Sequence, residues 1–241
     1  MNHQIYKQLI AFWEQSNYSE SIVNGLFVIC LILGLFPNYG EKERVFFLEY
    51  FLSGATLFTL MTAVVAFRSL NGHPYVILDE VFNTMFEVAE LITFYVFFRK
   101  IIHAVLWKRI FPFLLISFLV IATIFFGSSA LHDYSAGRIA RDSMYLNVVE
   151  FFCLFMMYLG YFYQLFAGVP GKSQKGEPFL LIATITLIYA VVPMPFFILA
   201  GNMLRSAQKG SCVLFDYHYL LLSILLLSIV KSFQCKRLIT I

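Results

Sequence analysis

Apolar and polar residues are segregated along this chain rather than interleaved. Seven apolar runs, at about 21–39, 45–67, 76–98, 105–127, 144–167, 178–203 and 212–234, are separated by polar breaks. A helix rising 1.5 Å per residue needs about 20 apolar residues to cross the hydrocarbon of a bilayer, and each run comes close to that length or exceeds it. Turn-forming residues punctuate the breaks, as in Pro37-Asn38-Tyr39-Gly40, Asn71-Gly72-His73-Pro74 and Gly168-Val169-Pro170-Gly171. The pattern predicts an all-α fold: a polytopic transmembrane bundle of seven helices, in one domain over residues 1–241. The longest break, Ser128 to Ser143, reads as a loop. Pro112 falls near the start of the fourth run, where a helix tolerates it. Pro193 and Pro195 fall inside the sixth run and predict a kink there. Within residues 1–20, Ile5, Leu9, Ile10, Phe12 and Trp13 form an apolar face at helical spacing, which predicts a short interfacial helix ahead of the first span.

Composition agrees with a bilayer as the solvent. The chain is 60% hydrophobic and 13% charged, whereas soluble domains carry roughly 25% charged residues. That excludes a separate soluble domain. No basic stripe exists, so nucleic acid is not an expected partner. The first twenty residues lack a basic stretch followed by an apolar one, so no cleavable signal peptide is expected. Cys30, Cys153, Cys212 and Cys235 lie in or beside apolar runs without metal-ligand spacing and read as packing residues. Charge placement sets the orientation. With the C-terminus in the cytoplasm, eleven of the seventeen lysines and arginines fall on the inner side. The bias predicts a plasma (inner) membrane protein with its N-terminus outside and its C-terminus inside.

Ionisable residues within spans cost about 2.5–3.5 kcal/mol each to insert, and by default they mark function. In the third run Glu80, Asn83, Glu87 and Glu90 step by three, four and three, which places them on one helical stripe. The stripe starts at the outer surface and reaches roughly 15 Å inward. The fifth run opens with Asn147 and Glu150 on one face, and the seventh with Asp216 and His218. His73, His132, Asp133 and Asp142 lie in the outer loops. The inner halves of the spans are bland apart from Glu49. This asymmetry predicts a polar, acidic cavity open to the outer side and lined by the third, fifth and seventh helices. The alternative is interhelical glue, with protonated carboxyls hydrogen-bonded to Asn, Tyr or backbone groups.

Other chemistries fit less well. No two histidines share a zinc-ligand spacing, so no metal site is expected. Lys231 lies too near the inner edge for a retinal Schiff base. Ser128, Ser129, His132 and Asp133 lie together, but intramembrane hydrolases need several inward histidines and only His218 is so placed. No catalytic residues and no cofactor are predicted. The aromatic clusters at the inner ends of the third and fifth runs (Tyr95, Phe97, Phe98; Tyr158, Tyr161, Phe162, Tyr163) read as an interfacial belt. Glu90 and Glu150, each followed by such a cluster, suggest a duplicated hairpin.

Tyr161-Phe-Tyr-Gln-Leu165 followed by Glu177-Pro-Phe-Leu-Leu-Ile-Ala-Thr-Ile-Thr-Leu-Ile-Tyr189 resembles small seven-helix integral membrane proteins of Bacteroidetes-type bacteria, which are similar to membrane input modules of histidine kinases. The resemblance covers about a third of the chain. Leu180 stands where that pattern has Trp, and Ile185 where it has Gly. No kinase region is present in these residues, so the resemblance implies output through a separate protein partner on the cytoplasmic side. The expected function is a membrane-embedded sensor or ligand-binding protein using Glu80, Asn83, Glu87, Glu90, Asn147, Glu150, Asp216 and His218. The alternatives are a small proton-coupled transporter, a membrane-embedded hydrolase, or a structural subunit of a membrane complex.

Overall fold

The computed structural model describes residues 18–35, 42–71, 76–131, 136–167, 177–205 and 211–235, with side chains at 21–35, 47–64, 81–125, 145–167, 180–199 and 217–232. The interfacial helix expected over residues 1–20 lies almost wholly outside these. Hydrocarbon offers backbone N–H and C=O groups no partners, so each apolar run must satisfy them internally. Every run is helical: α1 (Tyr18–Leu35), α2 (Lys42–Asn71), α3 (Val76–Ile101), α4 (Val105–Leu131), α5 (Ala136–Phe166), α6 (Glu177–Val191), α7 (Pro193–Arg205) and α8 (Ser211–Cys235). Among the described residues there is no strand.

Five stretches are long and apolar enough to cross a membrane: Phe47–Val64, Val81–Ile101, Val105–Phe125, Tyr145–Phe166 and Leu180–Leu199. Ser21–Leu35 and Tyr217–Ser232 are apolar but shorter. The chain is therefore a multi-pass membrane bundle whose outward apolar side chains meet lipid.

The helices close into a ring. α1 packs on α2, α2 on α3, α3 on α5, α5 on α6 and α7, and α8 closes the circuit back onto α1. α4 stands outside it, docked on α3 and α5. Only 17% of its spanning window is buried, against 39–56% in the other four. Its Phe113, Ile116 and Ile124 face outward. Small residues permit two close approaches. A Cβ on Gly54 would lie 2.3 Å from the Phe27 ring, and one on Gly160 would lie 2.9 Å from Trp107, so glycine is what lets α1 meet α2 and α4 meet α5 here.

Three expectations change. The break at Ser128–Ser143 is mostly helix, because α4 runs to Leu131 and α5 starts at Ala136. Its polar residues rule out a hydrocarbon setting but not helix. The sixth run is not merely kinked; it is divided into α6 and α7 at Val192. Val192 N–H still donates to Ile188 at 3.0 Å. Pro193 has no N–H to offer the carbonyl of Tyr189, and the ladder ends there. Lastly, the aromatics at the trailing ends of α3 and α5 are not a surface belt. Phe97, Phe98, Tyr158 and Tyr161 are core residues, and Phe98 meets Tyr158 edge-on at 4.8 Å between centroids. The ring of helices turns this face inward, and of the set only Tyr163 is exposed.

Candidate functional site

Glu90 is fully buried near the middle of the α3 span. Two neighbouring helices donate to its carboxyl. The Tyr50 hydroxyl of α2 donates to Oε1 at 2.5 Å, and the Tyr189 hydroxyl of α6 donates to Oε2 at 2.9 Å. The Glu150 carboxyl of α5, also buried, borders the same space as Glu90.

A cavity of about 30 Å³ lies beside the pair, room for about two waters. Asn83, Glu87, Asn147 and Glu150 form its polar wall, and His218 borders it from α8. Asn83 Nδ2 donates to Glu87 Oε1 at 2.7 Å, one turn along α3. Phe58, Phe86, Phe197 and Tyr219 form the apolar wall. Among the described residues, neither lysine nor arginine lines it. The His218 imidazole is held among Phe197, Phe151 and Tyr189 at centroid distances of 5.2, 5.6 and 5.6 Å. Its Nδ1, like Glu150 Oε1, is buried and has no hydrogen-bond partner among the described residues.

The cavity sits toward the end of the bundle at which α3, α5 and α8 begin. Past Glu90 toward the other end, the core is aromatic: Phe47, Phe94, Phe98 and Tyr158 are all fully buried. Six residues of the predicted constellation, Asn83, Glu87, Glu90, Asn147, Glu150 and His218, surround one space. Glu80 and Asp216 lie on α3 and α8, but their side chains fall outside the described set, as does that of Asp142 on α5. His73, His132 and Asp133 lie outside the described residues altogether. No group of three or more His, Cys, Asp or Glu among the described residues is arranged to hold a metal ion.

Sequence reasoning missed the tyrosines. Tyr50 and Tyr189 sit in apolar runs, where a tyrosine ordinarily reads as packing. The available signal was a spanning carboxyl that lacks a cation and so needs donors from neighbouring helices. Gln164 was noticed only as part of a resemblance. Fully buried on α5, it bridges the three-residue break between α3 and α4. Its Oε1 accepts from His103 N–H and, at 3.1 Å, from Ala104 N–H, while its Nε2 donates to Ile101 C=O at 2.9 Å. These groups have no helical partner once α3 ends.

No family model, curated protein or solved structure matches the chain. The functional reading therefore rests on the site.

Proposed function

We propose that the protein is an integral membrane sensor of the bacterial inner membrane, with its N-terminus outside and its C-terminus in the cytoplasm. It admits a small polar species from the outer side and passes the resulting movement to a separate cytoplasmic partner. The carrying observation is the convergence of Asn83, Glu87, Glu90, Asn147, Glu150 and His218 on one cavity at one end of the bundle. Its volume suits water, a proton or a small ion rather than an organic ligand. The divided sixth span is the moving element. Tyr189 just before the break and Phe197 just after it both line the cavity, so a change there acts on both halves. The eleven inner lysines and arginines support the orientation.

The test is a pair of spin labels on α7 and α2 in nanodisc-reconstituted protein, with the inter-label distance followed as external pH and salt are varied. Movement in the wild type that is lost in E87Q and E150Q is expected. An unchanging distance in every medium would remove the sensor reading.

A proton-coupled transporter is the second reading. It is favoured by two mid-span carboxyls, Glu90 and Glu150, on one cavity beside a discontinuous helix. Proteoliposomes carrying a trapped pH dye separate the two, because a sensor leaves an imposed gradient standing.

A further inference from the structure

Two acceptors in the cavity wall stand open. Glu90 gives both oxygens to tyrosine hydroxyls, and Glu87 Oε1 accepts from Asn83. Glu150 Oε1 and His218 Nδ1 are buried and have no hydrogen-bond partner among the described residues, yet both side chains line the same space, from α5 and α8. Glu150 is only 1% exposed, so bulk water does not serve it. A buried polar atom is costly unless something bonds to it, so a guest that serves both atoms is favoured. The rest of the wall narrows the guest. Phe58, Phe86, Phe197 and Tyr219 close the apolar side, with Phe58 edge-on to Phe86 at 5.1 Å between centroids. An alkali ion takes a shell of oxygens, which these rings do not supply. A multivalent metal ion does not fit, because no three candidate ligands among the described residues are arranged for one. Water has lone pairs of its own to satisfy. An ammonium ion is the size of a water molecule, donates in every direction and accepts in none. Carboxyl oxygens and an imidazole nitrogen accept from it, and aromatic rings attract it.

We propose that this cavity is a binding site for the ammonium ion, held between Glu150 Oε1 and His218 Nδ1 and closed by the aromatic wall. This rests on the sensor reading above and names the species sensed. The ion donates one N–H to each open acceptor, and His218 accepts with its own proton on Nε2. The ion keeps its charge, and no covalent bond forms or breaks. Asn83 and Asn147 line the cavity from positions nearer the starts of α3 and α5 than the acids Glu90 and Glu150, where they offer amide groups to an ion shedding its water. A volume of about 30 Å³ admits ammonium or methylammonium and excludes tetramethylammonium. Binding is also linked to the hinge. The His218 ring packs on Tyr189 and Phe197, which flank the α6–α7 break, so an ion that fixes the imidazole acts on both halves of the divided span.

Infrared difference spectroscopy on the protein in nanodiscs reads the site directly. The sample is perfused at fixed neutral pH and constant ionic strength, first with sodium chloride and then with rising ammonium chloride. The expected result is a saturating change in the carboxyl infrared band, together with an N–H bending band that moves when 15N-labelled ammonium is used. The midpoint is expected to rise about tenfold or more in E150Q and in H218F. Methylammonium chloride is expected to compete, and potassium and tetramethylammonium chloride are not. The competition runs use the unaltered protein, so they decide the matter if either variant fails to fold. Absence of a saturating signal, or an equal signal with potassium, overturns the site. So does a wild-type midpoint in both variants. Ammonium binding without spin-label movement keeps this site and removes the sensor reading. Movement in other salts without an ammonium signal keeps the sensor reading and removes this site.

Discussion

The hydroxyl of Tyr189 donates to Glu90 Oε2 at 2.9 Å, although 99 positions separate the two residues. The bond ties the last turn of α6 to the middle of α3, directly before the helix gives way at Pro193. Polar contacts between spans contribute about 0.6 kcal/mol on average and up to ~1.7 kcal/mol. A bond whose donor and acceptor are both fully buried belongs at the upper end. Tyr189→Phe is therefore expected to lower unfolding stability in bicelles by roughly 1–2 kcal/mol. Tyr50→Phe should do the same. The two losses should not add, because both hydroxyls serve one carboxyl and each compensates partly for the other. Strict additivity in the double mutant would show that Glu90 is not their common acceptor.

Glu90 and Glu150 look alike in sequence, yet their substitutions should differ. Glu90 accepts from two tyrosine hydroxyls, whereas Glu150 Oε1 has no hydrogen-bond partner among the described residues. Gln at position 90 turns an N–H toward a donor hydroxyl and leaves one tyrosine without an acceptor. Glu150→Gln is expected to change stability by less than about 1 kcal/mol, and Glu90→Gln to cost about 2 kcal/mol or more. Equal losses in equilibrium unfolding would mean that the two tyrosine hydroxyls do not set Glu90 apart from Glu150.

The membrane bundle was legible because hydrocarbon imposes both a length and a composition on every span. The stripe Asn83–Glu87–Glu90 was legible because ionisable groups are rare inside spans and helical spacing puts them on one face. Partnership was harder to read. Tyr50 and Tyr189 donate across helices that are distant in sequence, and nothing local distinguishes them from Tyr163, which faces outward at 52% exposure. The same ambiguity made Phe98 and Tyr158 look like an interfacial belt. Which side of a uniformly apolar helix faces the core is set by ring closure, not by the helix's own pattern. The polar stretch around Arg138 and Arg141 looked like loop because polarity forbids hydrocarbon, whereas a helix projecting into water is allowed.

Gln164 makes a local prediction with a clear control. It serves Ile101 C=O and the N–H groups of His103 and Ala104 at once. Each buried backbone group left without a partner costs about 1–3 kcal/mol. Gln164→Leu, close in volume, is expected to destabilise the protein by roughly 3 kcal/mol, the largest effect of any uncharged polar substitution named here. Gln164→Glu keeps the two accepting contacts and loses only the donation to Ile101, so it should fall between Leu and wild type. Hydrogen exchange at Ala104 should rise in the Leu variant and stay slow in the Glu variant. Rapid exchange in both would show that Oε1 does not hold that turn.

Packing at Gly54 tests the α1–α2 contact without touching any polar group. Tyr50, Gly54 and Phe58 follow one another at four-residue spacing on α2, and the Phe27 ring of α1 lies across the gap that the missing side chain leaves. Its centroid is 5.6 Å from Tyr50 and 5.4 Å from Phe58. A Cβ at position 54 would come within 2.3 Å of that ring, and the ring has neighbours on both sides. Gly54→Ala must push α1 away or force Phe27 off its rotamer, at about 1–3 kcal/mol. Phe27→Leu alone should also destabilise, by removing buried aromatic surface. Together they should cost less than their sum by about 1 kcal/mol, since the smaller side chain makes room for the new methyl. Because Phe27 also packs on Tyr50, a displaced α1 should disturb the Tyr50–Glu90 bond. Gly54→Ala alone is therefore expected to alter the carboxyl infrared band, and Phe27→Leu in the same chain to restore it. A destabilised Gly54→Ala protein with an unaltered band would show that the aromatic cluster does not position Tyr50.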